Sequence, residues 1–113
     1  MIVDDDRTMV KLLQTLLELD GYEVVVVAFG ADVLKKANQK PPDVILMDYH
    51  LADMSGVEVL QKIRADPGFG QTPVVIASGM DVEAEVKAAG ANAFLIKPFD
   101  PDILPELFAQ LIG

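Results

Sequence analysis

Short apolar runs alternate with stretches of helical spacing along the whole chain. Residues 44–47 form a continuous apolar run behind two prolines, and residues 24–27 are consecutive valines. Runs this short, bounded by turn residues, predict strands that are buried on both faces of a sheet. Residues 9, 12, 13, 16 and 17 are apolar at the spacing of one helix face, and Gly21 follows as a natural helix end.

The same pattern continues along the chain and predicts five strands and five helices in alternation. We expect strands at residues 1–3, 23–28, 44–48, 73–77 and 93–96. We expect helices at residues 8–20, 32–40, 57–65, 82–89 and 102–112. This alternation predicts an α/β domain, with helices on both faces of a parallel sheet. Right-handed crossovers favour a doubly wound strand order of 2-1-3-4-5, with strands 1 and 3 adjacent at the topological switch point.

Each helix should bury one apolar face against this sheet. Pro105 fits only in the first turn of a helix, so the last helix should begin later than Asp100 suggests. Val10 is surplus to the core face of the first helix and could serve a partner helix. The side chains expected to face the core from the third and last helices are Val57, Leu60, Ile63, Ile103, Leu107, Phe108 and Leu111.

Composition narrows the class of protein. The chain has 113 residues, of which 51% are hydrophobic and 24% charged, as in a folded domain with one core. A net charge of -9 argues against a nucleic-acid surface, which needs clustered lysine and arginine. Cysteine is absent, and no apolar run approaches membrane-spanning length. We therefore expect a single domain, residues 1–113, in the cytoplasm and without membrane contact.

Polar side chains follow the predicted strands at one edge of the sheet. Asp4 and Asp5 follow strand 1, Asp48 ends strand 3, Ser78 follows strand 4 and Lys97 follows strand 5. Because the carboxyl ends of parallel strands meet at one edge, these groups should share a crevice. Crowded carboxylates repel one another, and their oxygens are the ligands that Mg²⁺ prefers. The sequence therefore predicts a site for Mg²⁺ or Mn²⁺ at Asp4, Asp5 and Asp48.

Asp48 is the predicted nucleophile of this crevice. His50 is the only histidine and lies just after Asp48, so a serine–histidine–aspartate triad with Ser78 is not expected. An aspartate can instead form an aspartyl phosphate. A metal ion, the ammonium group of Lys97 and the hydroxyl group of Ser78 would meet the charge on the equatorial oxygens of an incoming phosphoryl group.

Four motifs in this order resemble the response-regulator receiver domain, the phosphoacceptor module of two-component signalling. They are IVDDD, VILMDYHLADMSG, PVVIASG and FLIKPF, and the resemblance covers nearly the whole chain. It implies a flavodoxin-like, chemotaxis-receiver-like switch, and we expect this chain to be a monomer or weak dimer. It also implies a histidine kinase or a histidine phosphotransfer protein as phosphodonor, and no direct contact with nucleic acid.

Residue roles also follow from the resemblance. It implies that Asp48 is phosphorylated and that the acidic pair after strand 1 binds the metal, Asp5 most directly. His50 would offer its backbone carbonyl oxygen to the metal, and Phe94 would be the switching aromatic residue. The hydroxyl and ammonium groups named above would contact the phosphoryl oxygens. The domain would later hydrolyse its own acyl phosphate, as a self-modifying switch without enzymatic turnover.

The sequence departs from the family pattern at a few positions. Ala52 stands where the family often has proline, and Gly79 stands where alanine is common. The segment from Ser78 to Lys97 is about three residues shorter than usual, roughly one helical turn. In the family, helix 4, strand 5 and helix 5 form the usual output face, often by pairing two receivers. We expect the shorter helix 4 to weaken this face.

Two other functions match parts of the sequence. Asp4, Asp6 and Thr8 after an apolar strand resemble the nucleophile motif of haloacid-dehalogenase phosphohydrolases, in which Asp4 would take the phosphoryl group. Those enzymes usually need a larger core or a cap, and Asp6 is better explained as a solvated first-turn residue. The other alternative is a binding module, either a flavodoxin-like nucleotide binder or a receiver that has lost the ability to be phosphorylated. The chain has no glycine-rich phosphate loop after strand 1, which counts against the nucleotide binder.

Overall fold

A five-stranded parallel sheet in the order β2-β1-β3-β4-β5 runs through the computed structural model, which describes residues 1–113. The strands are β1 (Ile2–Val3), β2 (Val26–Val27), β3 (Ile45–Asp48), β4 (Val74–Ser78) and β5 (Ala93–Ile96). The predicted fold class and strand order are confirmed. Because Val3 pairs with Met47 across the β1–β3 ladder, the residues that follow these strands meet at one edge.

Five α-helices connect and cover the strands. They are α1 (Arg7–Leu19), α2 (Val33–Gln39), α3 (Gly56–Ala65), α4 (Glu83–Ala88) and α5 (Leu104–Ile112), with single 3₁₀ turns at Gly30–Asp32 and Pro101–Ile103. Pro105 lies in the first turn of α5, as expected. None of the helices combines the length and the apolar character needed to cross a bilayer.

Local side-chain chemistry sets the ends of α1. The Asp6 carboxylate accepts a hydrogen bond from the Met9 N–H at 3.1 Å, so Asp6 caps the helix. At the other end Gly21 adopts a φ of 90°, a conformation that costs glycine little. The Tyr22 N–H then donates to the Leu17 carbonyl at 3.0 Å, which completes a Schellman-type cap.

The sheet separates two apolar cores, because successive strand residues point to opposite faces. Ile45, Met47 and Ile76 face α2, α3 and α4. Leu46 and Val75 face α1 and α5. The two cores together hold β3 and β4 buried on both sides, as the apolar runs predicted.

Some details of the helix faces and of β2 differ from expectation. Val10 is 6% exposed whereas Leu12 is 50% exposed, so the prediction of a surplus Val10 is wrong. The core face of α1 instead runs through Val10, Leu13 and Leu17, at spacings of three and four residues.

Ile103 was expected in the core but is 40% exposed, because it lies in the 3₁₀ turn and Leu104 takes the buried position. Strand β2 is shorter than the valine run because its only ladder partners are Ile2 and Val3.

Candidate functional site

Three carboxylates meet where β1 and β3 end. Asp4 and Asp5 follow β1, Asp48 is the last residue of β3, and each offers one oxygen within 4.8 Å of the others. Asp4 is 8% exposed, Asp48 is partly buried and Asp5 is exposed. The Asp6 N–H donates to Asp4 Oδ1 at 3.0 Å and fixes the orientation of that carboxylate. The predicted convergence of this acidic group is confirmed.

Lys97 reaches two of these carboxylates from the end of β5. Its Nζ atom lies 3.0 Å from Asp48 Oδ1 and 3.2 Å from Asp4 Oδ2. The Lys97 main-chain N–H donates to the Ser78 carbonyl at 2.8 Å, and the peptide bond to Pro98 is cis. The ammonium group therefore lies inside the acidic cluster, as the sequence predicted.

The surroundings of Asp48 and Lys97 shift both of their pKa values upwards, for different reasons. Burial raises the pKa of Asp48, the charges of Asp4 and Asp5 raise it further, and Lys97 offsets part of this rise. Burial alone would lower the pKa of Lys97, but its hydrogen bond to Asp48 and the charges of Asp4 and Asp48 raise it. Lys97 thus keeps its charge, while burial and the neighbouring carboxylates disfavour the ionised form of Asp48.

Ser78 places a hydroxyl group at the end of β4. It lies one residue beyond Ala77, which pairs with Asp48, and is only 2% exposed. Ser78 Oγ accepts a hydrogen bond from the Met80 N–H at 3.1 Å. Since a serine hydroxyl has one proton to donate, that proton remains available for an oxygen placed at the site.

The remaining predicted residues lie around this centre. The His50 side chain is exposed, as expected, and its ring meets the Tyr49 ring edge-on at 4.8 Å between centroids. The role of its backbone carbonyl as a metal ligand stays a prediction. Phe94 pairs with Ile76 and packs, partly buried, against the core on the α4 side. Its role as a switching residue likewise stays a prediction.

Two contacts near the site were not predicted. The Tyr49 hydroxyl donates to the Glu85 carboxylate, with distances of 2.8 and 2.9 Å to its two oxygens. The Asp53 carboxylate accepts from the Gly30 and Ala31 N–H groups at 2.8 and 3.0 Å, and these bonds lower the pKa of Asp53. Each contact joins segments more than 20 residues apart, so no periodic signal in the sequence marks it.

The chemistry of this donor set suits a hard divalent cation. Clustered carboxylate oxygens at an open sheet edge are the ligands that Mg²⁺ prefers, and the exposure of Asp5 leaves room for retained water. Lys97 and Ser78 add a cation and a hydroxyl donor beside Asp48. The arrangement can therefore attract and orient a phosphoryl group next to a carboxylate nucleophile.

Proteins of one known family are similar to this chain in sequence and structure. The response regulator receiver domain model matches residues 1–109. The transcriptional regulatory protein KdpE of Mycobacterium tuberculosis is 36% identical over 98% of this chain, which spans about half (48%) of KdpE. The chemotaxis protein CheY1 of Helicobacter pylori is 30% identical, over 100% of this chain and 95% of that protein.

A solved structure of a receiver domain is also similar to this chain. The receiver domain of the sensor histidine kinase PA1611 from Pseudomonas aeruginosa superposes with a TM-score of 0.89 at 28% identity. The match covers 99% of this chain and 94% of that one, and that structure has a magnesium ion coordinated in its active site cleft. This chain therefore belongs to the response regulator receiver domains, the phosphoacceptor domains of two-component signalling systems.

Proposed function

We propose that Asp48 is the phosphoacceptor of this receiver domain and that residues 1–113 act as one switching unit. The observation that carries the proposal is the Lys97 ammonium group, which contacts both Asp48 and Asp4 at the end of the sheet. No other carboxylate of the cluster both ends a buried strand and has a cation and a hydroxyl donor beside it. Because Asp48 is only partly buried, its carboxylate is accessible to a phosphodonor.

The proposed phosphoryl transfer to Asp48 balances in atoms and in charge. An Asp48 oxygen attacks the phosphorus of a phosphohistidine on a histidine kinase or a histidine phosphotransfer protein. The P–N bond breaks, the imidazole nitrogen keeps the electron pair and takes up a proton, and an acyl phosphate forms on Asp48. Lys97 and Ser78 hold two phosphoryl oxygens by an ion pair and a hydrogen bond.

We propose Mg²⁺ or Mn²⁺ as the cofactor, held by Asp4, Asp5, Asp48 and the His50 backbone carbonyl. The metal, when bound, would neutralise charge on the carboxylates and on the phosphoryl oxygens. Lys97 keeps its own charge throughout and remains a partner for Asp48 once phosphate leaves. In the dephosphorylation step water attacks phosphorus, the bond between the Asp48 oxygen and phosphorus breaks, inorganic phosphate leaves and the Asp48 carboxylate returns. The chain is then a self-modifying switch, with one phosphoryl group per cycle.

Intact-mass analysis after incubation with acetyl phosphate and Mg²⁺ tests the acceptor assignment. The native chain should gain the mass of one phosphoryl group, and Asp48→Asn should gain none. Asp43→Asn, an exposed carboxylate at the opposite end of β3, is the matched control and should be labelled like the native chain. Label that persists in Asp48→Asn but disappears in Asp4→Asn would favour the haloacid-dehalogenase-like alternative.

A further inference from the structure

We propose that Tyr49 and Glu85 form a latch that ties the phosphoacceptor segment to α4 and opposes the change of state at Asp48. The inference rests on the proposed role of Asp48, because Tyr49 is the next residue in the chain. The latch is defined by the hydroxyl group of Tyr49 and the carboxylate of Glu85, which are 36 residues apart in sequence. It is a positioning device and takes no part in the phosphoryl transfer itself.

The geometry of the latch is specific. The Tyr49 hydroxyl lies 2.8 Å from Oε1 and 2.9 Å from Oε2 of Glu85, so one donor is shared between both carboxylate oxygens. A hydrogen bond to an ionised acceptor is stronger than one between neutral groups. No other side chain of α4 makes a hydrogen bond or ion pair to a different element of the fold.

Strand alternation explains why Tyr49 reaches α4 and not the acidic cluster. Side chains on successive strand residues point to opposite faces, and Met47 and Tyr49 both pack on the core that α4 covers. Phe94 packs on the same core from β5 but has no hydroxyl group. The polar link between the strand ends and α4 is therefore made from β3, by the neighbour of Asp48.

The length of α4 makes this link important. The helix has six residues, the side chain of its N-cap residue Val82 makes no capping hydrogen bond, and Val86 is its only buried residue. So short a helix depends on tertiary contacts for its position. Residues 79–82 connect α4 directly to Ser78. If the Ser78 hydroxyl group moves towards a phosphoryl oxygen, the start of α4 should therefore move with it.

The contacts that accompany the latch indicate which of the two states it stabilises. It is closed in the arrangement in which Lys97 pairs directly with the Asp48 carboxylate and Ser78 Oγ accepts from Met80. A contact made in only one of two states favours that state. Loss of the latch should therefore ease the transition to the phosphorylated state.

Binding of beryllofluoride with Mg²⁺ to variants of the 113-residue chain tests the latch. Tyr49→Phe and Glu85→Ala should each bind about threefold more tightly than the native chain, the size expected for one exposed, charge-assisted hydrogen bond. The double variant should match the single variants, because either change removes the same contact. Glu85→Gln keeps an acceptor oxygen and should fall between Glu85→Ala and the native chain.

Two matched variants control for unrelated effects. Glu83→Ala removes a carboxylate of α4, and that carboxylate pairs only with Lys87. Tyr22→Phe removes the hydroxyl group of the other tyrosine. Both should bind like the native chain. Native affinity in Tyr49→Phe, or additive effects in the double variant, would overturn the latch. Failure of the native chain to bind beryllofluoride, or of Asp48 to be labelled, would instead overturn the proposed acceptor role.

A spectroscopic measurement on the native sequence keeps the inference testable should a variant fold poorly. The chain has two tyrosines, so a ¹³C label on the ring carbon that bears the hydroxyl gives two signals, assigned with Tyr22→Phe. Addition of beryllofluoride and Mg²⁺ should shift the Tyr49 signal and leave the Tyr22 signal in place. A Tyr49 signal that does not move would show that the latch stays closed, contrary to the proposal.

Discussion

The carboxyl group of Asp48 carries a charge that the fold opposes. Burial and the charges of Asp4 and Asp5 raise its pKa, although Lys97 offsets part of the effect. An acid whose pKa is higher folded than unfolded favours folding below the unfolded pKa. It loses that contribution as pH rises through the folded pKa. Asp48→Asn should therefore raise the melting temperature of the metal-free chain by a few degrees at neutral pH, and the gain should vanish in acid.

Thermal unfolding in a chelating buffer over a series of pH values measures this effect. Glu18→Gln is the matched control, because the Glu18 side chain is exposed and makes no ion pair or hydrogen bond. Its melting temperature should follow that of the native chain at every pH. A lower melting temperature for Asp48→Asn at neutral pH would mean that the ion pair with Lys97 outweighs burial and repulsion.

Asp5 shows the opposite effects of one carboxylate on stability and on metal binding. It is exposed and adds negative charge beside Asp4 and Asp48, so Asp5→Ala should raise the metal-free melting temperature. The same variant should lose most of the stabilisation that Mg²⁺ gives the native chain, since that stabilisation grows with affinity. A Mg²⁺ titration followed by thermal unfolding, with Glu18→Gln as control, should separate the two effects. An unchanged titration in Asp5→Ala would remove Asp5 from the metal site.

At the scale of elements, Arg64 joins α3 to the connections around β4 and α4. Its guanidinium group donates to the Gly90 carbonyl at 2.8 and 3.1 Å and to the Thr72 carbonyl at 2.7 Å. It also donates to Asn92 Oδ1 at 2.8 Å, and that oxygen accepts from the Val74 N–H. One side chain thus satisfies carbonyl groups of two loops that lack regular hydrogen-bond partners.

Arg64→Ala should destabilise the fold by about 2–3 kcal/mol, because charged hydrogen bonds are lost and loop carbonyls are left unpaired. Lys62→Ala is the matched control, from the same last turn of α3 but exposed, and should change stability little. Arg64→Lys should not restore stability fully, since a lysine lacks the planar fork that reaches several acceptors. Urea unfolding measures the stability of all three variants. Equal midpoints for Arg64→Ala and Lys62→Ala would contradict the stabilising role of Arg64.

These element contacts also show where sequence reasoning stops. The ends of apolar runs are local features, so Asp48, Ser78 and Lys97 could be placed from the pattern, and the crossover rules then brought them together. The contacts of Arg64 and Tyr49 depend on how loops and a short helix settle on the sheet. A single partly buried arginine or tyrosine gives no periodic signal of its partner, so only the three-dimensional structure reveals these contacts.

At the scale of the whole molecule, negative charge collects on the side of the β5 edge of the sheet, which α4 and α5 flank from opposite faces. The sequence from Gly79 onwards contains six acidic residues but, apart from Lys97 in the site, only Lys87 as a basic residue. The six acidic residues are Asp81, Glu83, Glu85, Asp100, Asp102 and Glu106. A two-fold symmetric pair through this side would place it against its own copy. Negative charges would then face each other, whether the two copies met through α4 or through α5.

We therefore expect the beryllofluoride form to remain mainly monomeric at micromolar concentration and low salt. The short α4 removes contact area from an interface that usually needs about 800 Å² per partner, and the facing acidic residues repel. Because salt screens exposed charges, any association should strengthen as ionic strength rises. Sedimentation velocity over a salt series measures this, with Lys87→Glu as a variant that should stay monomeric. A stable low-salt dimer that Lys87→Glu disrupts would show that this side pairs despite its charge.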